Sequence, residues 1–277
     1  MSLTLRLYDF LYEVWSHSLA DKAVSWLLIA TFSLGLLLVA SSNFLGIPQL
    51  PDTTNYFLAI DLAFQVLLII EILGLIFVLP KSVADSVGKQ FEILSVILLR
   101  SAFKEFSHFE QPVSWSNIVY EPLFHMLSDA FGALLIFLII GFYYQKQRHA
   151  RITRNEQEQS EFIHFKKVLA LLLLLVFILL GISDVNQFMN TGRYQDSFNT
   201  FYTILIFTDI LILLFSLRYT SKYYNLFRYS SFALATILIR VSLTAPPYIN
   251  VVLGITAGLF VLGLTLIYNY FLQQETN

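Results

Sequence analysis

The run "LIIEILGLIFVL", residues 68–79, places Glu71 in a stretch with no other charge from Phe64 to Pro80. Further along, "LIFTDILILLFSL", residues 205–217, does the same with Asp209. A charge at the centre of a membrane-length apolar run costs about 2.5–3.5 kcal/mol on insertion scales. A chain that keeps one there gives it a partner, a polar cavity or an ion to bind. Arg100 and Arg240 are the partners that depth arithmetic selects. Glu71 lies eight residues from the inner end of its run, about 12 Å deep. Arg100 lies about eleven residues, or about 16 Å, into the following run, which returns across the membrane. The same arithmetic holds for Asp209 and Arg240. An acid–arginine pair is therefore expected between the second and third helix of each half of the chain. It can serve as a clamp that fixes helix packing, or as a site that titrates or contacts a permeating ion.

Other polar residues bear on chemistry. Asp61 stands near the outer start of the run that contains Glu71. His125 and Asp129 are four residues apart and share a helix face. A histidine and a carboxylate at that spacing can pass protons or hold a divalent cation. They can equally form a hydrogen-bonded pair near the outer surface. No third ligand accompanies them, so neither a metal nor a cofactor is assigned. Asn250 occupies about the equivalent place in the second half. "GISD", residues 181–184, sets a serine beside a glycine, as an intramembrane protease would, but no partner histidine is in view and Asp184 is expected to face the exterior end. No two-histidine metalloprotease helix and no phosphate-cradling glycine loop occurs. No span interior holds a lysine that could carry a retinal Schiff base. Cysteine is absent, which removes disulfides, thiolate metal sites and cysteine nucleophiles.

These residues must be positioned by membrane helices. Of the 277 residues, 57% are hydrophobic and only 13% charged, too few charges to cover a soluble protein of this size. A net charge of −2 with no basic surplus gives no support to nucleic-acid binding. A helix needs about 20 apolar residues to cross the hydrocarbon. The expected spans are 24–43, 56–79, 89–106, 123–144, 166–185, 198–217, 229–245 and 248–271. The third and seventh are shorter and each contains an arginine, so six spans is the fallback. The N-terminal segment 1–22 is too polar for a signal peptide. Its residues Leu7, Phe10, Leu11, Val14, Trp15 and Leu19 recur at helical spacing. They predict an amphipathic helix over 4–20, either lying on the membrane or capping the bundle.

With both termini inside, thirteen of the seventeen Lys and Arg residues fall on the cytoplasmic side or at its interface. The polar stretch 145–167 then becomes a cytoplasmic linker, with its core at 146–165. It separates a first four-helix unit, 23–145, from a second, 166–277. The halves look alike. "EILGLIFVL" then "VILLRSA" is followed in the second half by "DILILLFSL" then "TILIRVS", aligning Glu71 with Asp209 and Arg100 with Arg240. Asp61 aligns with Asn199 and Phe64 with Tyr202. An even number of spans per unit makes the repeat parallel, with a pseudo-twofold axis along the membrane normal. The fold class expected is an all-α integral membrane protein of about eight spans, in two such repeats. The exterior loop "EFSHFEQPVSWSNIVYEP" carries His108, Glu110 and Trp115 and breaks the symmetry as a candidate partner surface.

The segment "AIDLAFQVLLIIEILGLIFVLPKSVADSVGKQFEILSVIL", residues 59–98, resembles the second and third helices of the voltage-sensor four-helix domain of voltage-gated cation channels. The resemblance matches Glu71 to the second-helix acid and Glu92 to the acid that opens the third helix. It implies a four-helix membrane unit with both ends inside. The family's arginine ladder is missing from both candidate fourth helices, and no pore-loop filter like "TVGYG" is present, so voltage sensing is not implied.

The function read from these features is movement of a small ion through a channel or transporter. Cations are favoured by the intramembrane acids Asp61, Glu71, Asp129 and Asp209. The alternatives are a non-catalytic membrane subunit that binds a partner protein through 145–167, and a membrane enzyme acting on lipid or quinone, for which no catalytic constellation is found. The expected surroundings are the lipid bilayer of a bacterial inner membrane. A homo-oligomer is one way to enclose a pore.

Overall fold

The computed structural model describes residues 3–45, 56–109, 120–147, 156–191, 197–219 and 223–276. Among these the regular structure is entirely helical. The helices are α1 (Leu3–Ser16), α2 (Ser18–Leu45), α3 (Leu58–Val78), α4 (Val83–Lys104), α5 (Tyr120–Lys146), α6 (Glu156–Thr191), α7 (Phe198–Leu217), α8 (Tyr223–Thr244) and α9 (Ile249–Thr276). A 3-10 turn, Glu105–His108, follows α4. Seven of them, α2, α3 and α5 to α9, are long and apolar enough to cross a membrane. In hydrocarbon every backbone N–H and C=O must be bonded internally, and a helix does this within one segment. The chain is an all-α membrane protein. The span over 89–106 corresponds to α4, which matches its neighbours in length but carries Asp85, Lys89, Glu92, Arg100 and Lys104 and does not meet the same apolar standard.

Helix ends follow local chemistry. Ser82 caps α4, its Oγ accepting from the Asp85 N–H at 3.1 Å. Pro246 and Pro247 separate α8 from α9. Tyr248 completes that turn at φ 69°, an unusual conformation for a bulky residue. Ser242 Oγ ties the turn shut by donating to the Asn250 carbonyl at 2.6 Å.

The helix α4 lies at the centre, packed against α3, α5, α8 and α9. One core joins α4, α5, α8 and α9 through Phe91, Leu94, Ile136, Phe232, Ile239 and Val261. A second joins α1, α3, α6 and α7 through Tyr8, Ile72, Leu75, Leu173 and Leu205. Lipid is as apolar as leucine, so helices in a membrane associate by close contact rather than by escaping water. The α5–α9 interface is built this way. Gly254 and Gly258 of α9 receive Ile136 and Ile139 of α5; a Cβ at either glycine would fall 2.9 Å or 3.2 Å from them. Gly132 of α5 receives Val251 still more closely, at 2.6 Å.

The N-terminal helix has two apolar faces rather than one. Leu5 and Tyr8 are buried, and Tyr12 and Trp15 pack on Phe77 of α3. Tyr8 Oη donates to the Phe77 carbonyl at 2.9 Å, and Asp9 pairs with Lys167 of α6 at 2.6 Å. Burial pushes the Tyr8 phenol well above the ordinary tyrosine range, so it stays a donor. Leu7, Phe10 and Val14 remain more than half exposed, on a stripe free to enter the membrane surface. The helix therefore caps the bundle on one side and presents apolar residues on the other.

Residues 156–165 of the expected linker are helical and form the first turns of α6, where Phe162 is buried. Glu110 and Trp115 of the exterior loop, and residues 148–155 of the linker, lie outside the described residues.

Gly132→Ala is expected to destabilise the protein by about 1–3 kcal/mol, because branched Val251 has no room to yield. Gly141→Ala, where a Cβ meets nothing within 4 Å, should stay within about 0.5 kcal/mol of the native protein. Unfolding in mixed micelles checks both, and Val251→Ala should relieve the first.

Candidate functional site

The buried stripe of α7 runs through Phe201, Leu205, the adjacent pair Thr208 and Asp209, and Ser216 two turns further on. Asp209 therefore points inward for the same reason its apolar neighbours do. On α8 the inward stripe includes Tyr229, Phe232, Thr236, Ile239 and Arg240. The two stripes meet, and Asp209 Oδ2 lies 3.7 Å from Arg240 Nε, with the arginine side chain fully buried. Among the described residues none of the three guanidinium nitrogens has a hydrogen-bond partner. The pair is held by charge attraction in a low-dielectric interior, without the bidentate fork that arginine and carboxylate can form.

Consecutive contacts run from α3 to α4, α4 to α8, α8 to α7, α7 to α6 and α6 back to α3. Between these five helices is a cavity of about 40 Å³ whose polar lining is Ser86, Gln90, Lys166, Asp209, Ser216 and Thr236. A water molecule needs about 10–15 Å³ by this kind of measure, so the space admits water or a small cation. Thr236 stands beside Asp209, one turn before Arg240 on the same face of α8.

Lys166 is the residue that sequence reasoning missed. It is buried in the early turns of α6, at a position that the sequence places only among the basic residues of the inner interface. Its Nζ donates to the Lys81 carbonyl beyond α3, and it lies 5.2 Å over the Phe162 ring. In sequence the pair Lys166–Lys167 looks like an interfacial anchor. Only packing separates the two: Lys167 turns out to Asp9, while Lys166 turns into the cavity.

The first half is arranged differently. Glu71 is buried, and among the described residues neither carboxylate oxygen has a hydrogen-bond partner. Arg100 stays within Coulombic reach, but its Nη1 donates instead to the Phe64 carbonyl at 3.3 Å. Phe64 lies seven residues before Glu71 on α3, about 10 Å toward the other end of the helix. Glu71 and Arg100 are thus coupled through charge without a direct ion pair. Counting residues from the span ends could set the depth of each Cα but not the direction of a long side chain. Asp61 lies 3.8 Å from Lys104, with both side chains partly exposed, at the rim rather than in the interior.

A separate polar cluster joins α5 to the α8–α9 turn. Asp129, buried, accepts from Asn250 Nδ2 at 2.9 Å. His125 shares a helix face with Asp129, yet its Nδ1 lies 3.8 Å from Glu105 Oε2 in the turn after α4, and its ring meets Tyr248 edge-on at 5.0 Å. Glu105 was invisible as a partner because twenty residues and a loop separate it from His125. Among the described residues no group of three His, Asp or Glu side chains is placed to hold a metal. The chain matches no protein-family model, no curated protein and no solved structure.

Removing one member of the buried Asp209–Arg240 pair leaves an uncompensated charge. Asp209→Leu or Arg240→Met alone should cost about 3–5 kcal/mol, and the double substitution should recover most of it. Lys104→Ala, at the partly exposed pair with Asp61, should cost no more than about 1 kcal/mol. Unfolding in mixed micelles reads all four variants.

Proposed function

We propose that the protein moves a small cation across the membrane through the ring formed by α3, α4, α6, α7 and α8. The observation that carries this reading is Asp209. It is a buried carboxylate that faces a water-sized cavity of mostly apolar lining, and the arginine balancing it makes no hydrogen bond among the described residues. Ionisable side chains inside spans are expensive, and those that persist line substrate and ion pathways. Four of the five ring helices contribute one: Glu71, Lys166, Asp209 and Arg240 are all buried. The fifth, α4, contributes buried Gln90.

Asp209 is then the cation ligand, and Arg240 the counter-charge that stabilises it when the cation is absent. Glu71 supplies a second acid, about two turns along α3 from the cavity-lining Leu79. Lys166, tethered at the Lys81 end of the cavity, is a built-in cation that competes for Asp209. A cavity this small favours a carrier that exposes its site to one side at a time over a permanently open pore.

Several features support the finer architecture. The contacts α4 with α8 and α5 with α9 pair equivalent helices, and α4 with α5 repeats as α8 with α9. Such pairing fits two parallel four-helix units about a pseudo-twofold axis. The outward stripe of α4 is apolar at Val96, Leu99 and Phe103, which fits an eighth crossing. Asp9, Lys81, Lys166 and Lys167 gather at one end of the bundle, as an inside N-terminus requires. Voltage sensing forms no part of the proposal, since neither α5 nor α9 carries an arginine.

The test is cation flux, protons included, into liposomes holding the purified protein. Asp209→Asn should slow flux by about tenfold or more, equivalent to about 1.4 kcal/mol on the barrier. Native flux no faster than that of empty liposomes, or full flux in both Asp209→Asn and Glu71→Gln, would end the proposal.

A further inference from the structure

A second cavity, of about 320 Å³, lies between α3, α6 and α7. Its size falls in the range of about 300–1,000 Å³ that small-molecule sites occupy. Ile69 of α3, Phe177 and Gly181 of α6, and Phe198 and Phe201 of α7 form its apolar walls. One end is polar: Ser197 Oγ donates to Asp184 Oδ1 at 2.5 Å. The apolar window of α6 ends at Gln187. Asp184 is thus about 5 Å inside that end and Phe177 about 15 Å inside it. The cavity is polar toward the C-terminal end of this apolar stretch and apolar toward its middle, the polarity of an amphiphile.

Gly181 sharpens the point. A glycine inside a helix is destabilising relative to alanine, so its retention asks for a reason. At Gly132, Gly254 and Gly258 the reason is a neighbouring side chain that needs the space. At Gly181 a Cβ would meet nothing within 4 Å. Gly141 and Gly263 are equally open, but of the three only Gly181 lines a described cavity. Helix packing does not require the glycine here; its effect is to keep the cavity wide. The rim around it is lipid-facing, with Ile178, Ile182 and Val185 exposed.

We propose that this groove holds one acyl chain of a bilayer phospholipid whose primary ammonium headgroup bonds the Asp184 carboxylate. The bilayer supplies the occupant, because the groove opens among side chains that face acyl chains. The carboxylate selects the headgroup. An ammonium offers N–H donors and positive charge together, giving a charge-assisted hydrogen bond. A quaternary choline has the charge without the donors, and a glycerol headgroup carries no positive charge. This site stands apart from the cation pathway and does not depend on it.

The experiment is native mass spectrometry of the full chain in detergent, with phosphatidylethanolamine, phosphatidylcholine and phosphatidylglycerol of identical acyl chains. The native protein should retain phosphatidylethanolamine at about tenfold lower lipid concentration than the other two. Asp184→Asn should level the three headgroups while leaving lipid adducts in place. Gly181→Phe, whose ring fills the groove, should lose the adducts while melting in lipid-free detergent at the native temperature. Equal retention of the three lipids by the native protein, an unchanged headgroup preference in Asp184→Asn, or full phosphatidylethanolamine adducts in a folded Gly181→Phe would each overturn the proposal.

Discussion

A charge removed from water must be compensated where it sits. In this bundle that constraint is concentrated where Asp209 meets Arg240, both buried, with the carboxylate 3.7 Å from the guanidinium. An isolated ion there would be prohibitive in hydrocarbon, so α7 and α8 must pack with these two faces together. That contact also orients the rest of the ring. With Asp209 turned toward α8, Ser216 falls on the same side, and α4 and α6 bring Gln90 and Lys166 to the space that remains. A small cavity remains there, closed elsewhere by apolar side chains such as Val87, Ile212 and Phe232.

The remaining packing rests on dispersion. Because acyl chains and leucine are equally apolar, burying one more leucine gains little from its transfer alone. Close approach must do that work, and at α5–α9 it is achieved by glycines at 132, 254 and 258. Gly254 and Gly258 stand four residues apart on one face of α9, so a single stripe of the helix takes the close contact. At the opposite flank, where Gly181 has no helix to receive, the same residue leaves room that the bilayer can fill.

The site was legible in uneven measure. Asp209 and Arg240 stood out as charges in apolar runs, and depths that differ by only about 4 Å, within side-chain reach, were enough to pair them. Glu71 and Arg100 satisfied the same arithmetic and are not joined, since a guanidinium on a long stem can take a backbone carbonyl within its reach instead of the acid. His125 and Asp129 share a face but find partners elsewhere, in Glu105 and Asn250, across connections whose geometry no spacing rule describes. Lys166 had no signal at all: beside Lys167 at the start of an apolar run it reads as a surface anchor.

The sequence alone determined that the chain is helical and membrane-embedded, along with most span positions and the amphipathic character of α1. These follow from length, hydropathy and period, which are properties of single segments interacting with water or lipid. Which helices touch, which of two adjacent lysines turns inward, and which acid receives an arginine were decided only in the tertiary structure. Such choices depend on rotation about helix axes and on side-chain reach across an interface. Those are relations between segments, and a linear pattern does not encode them.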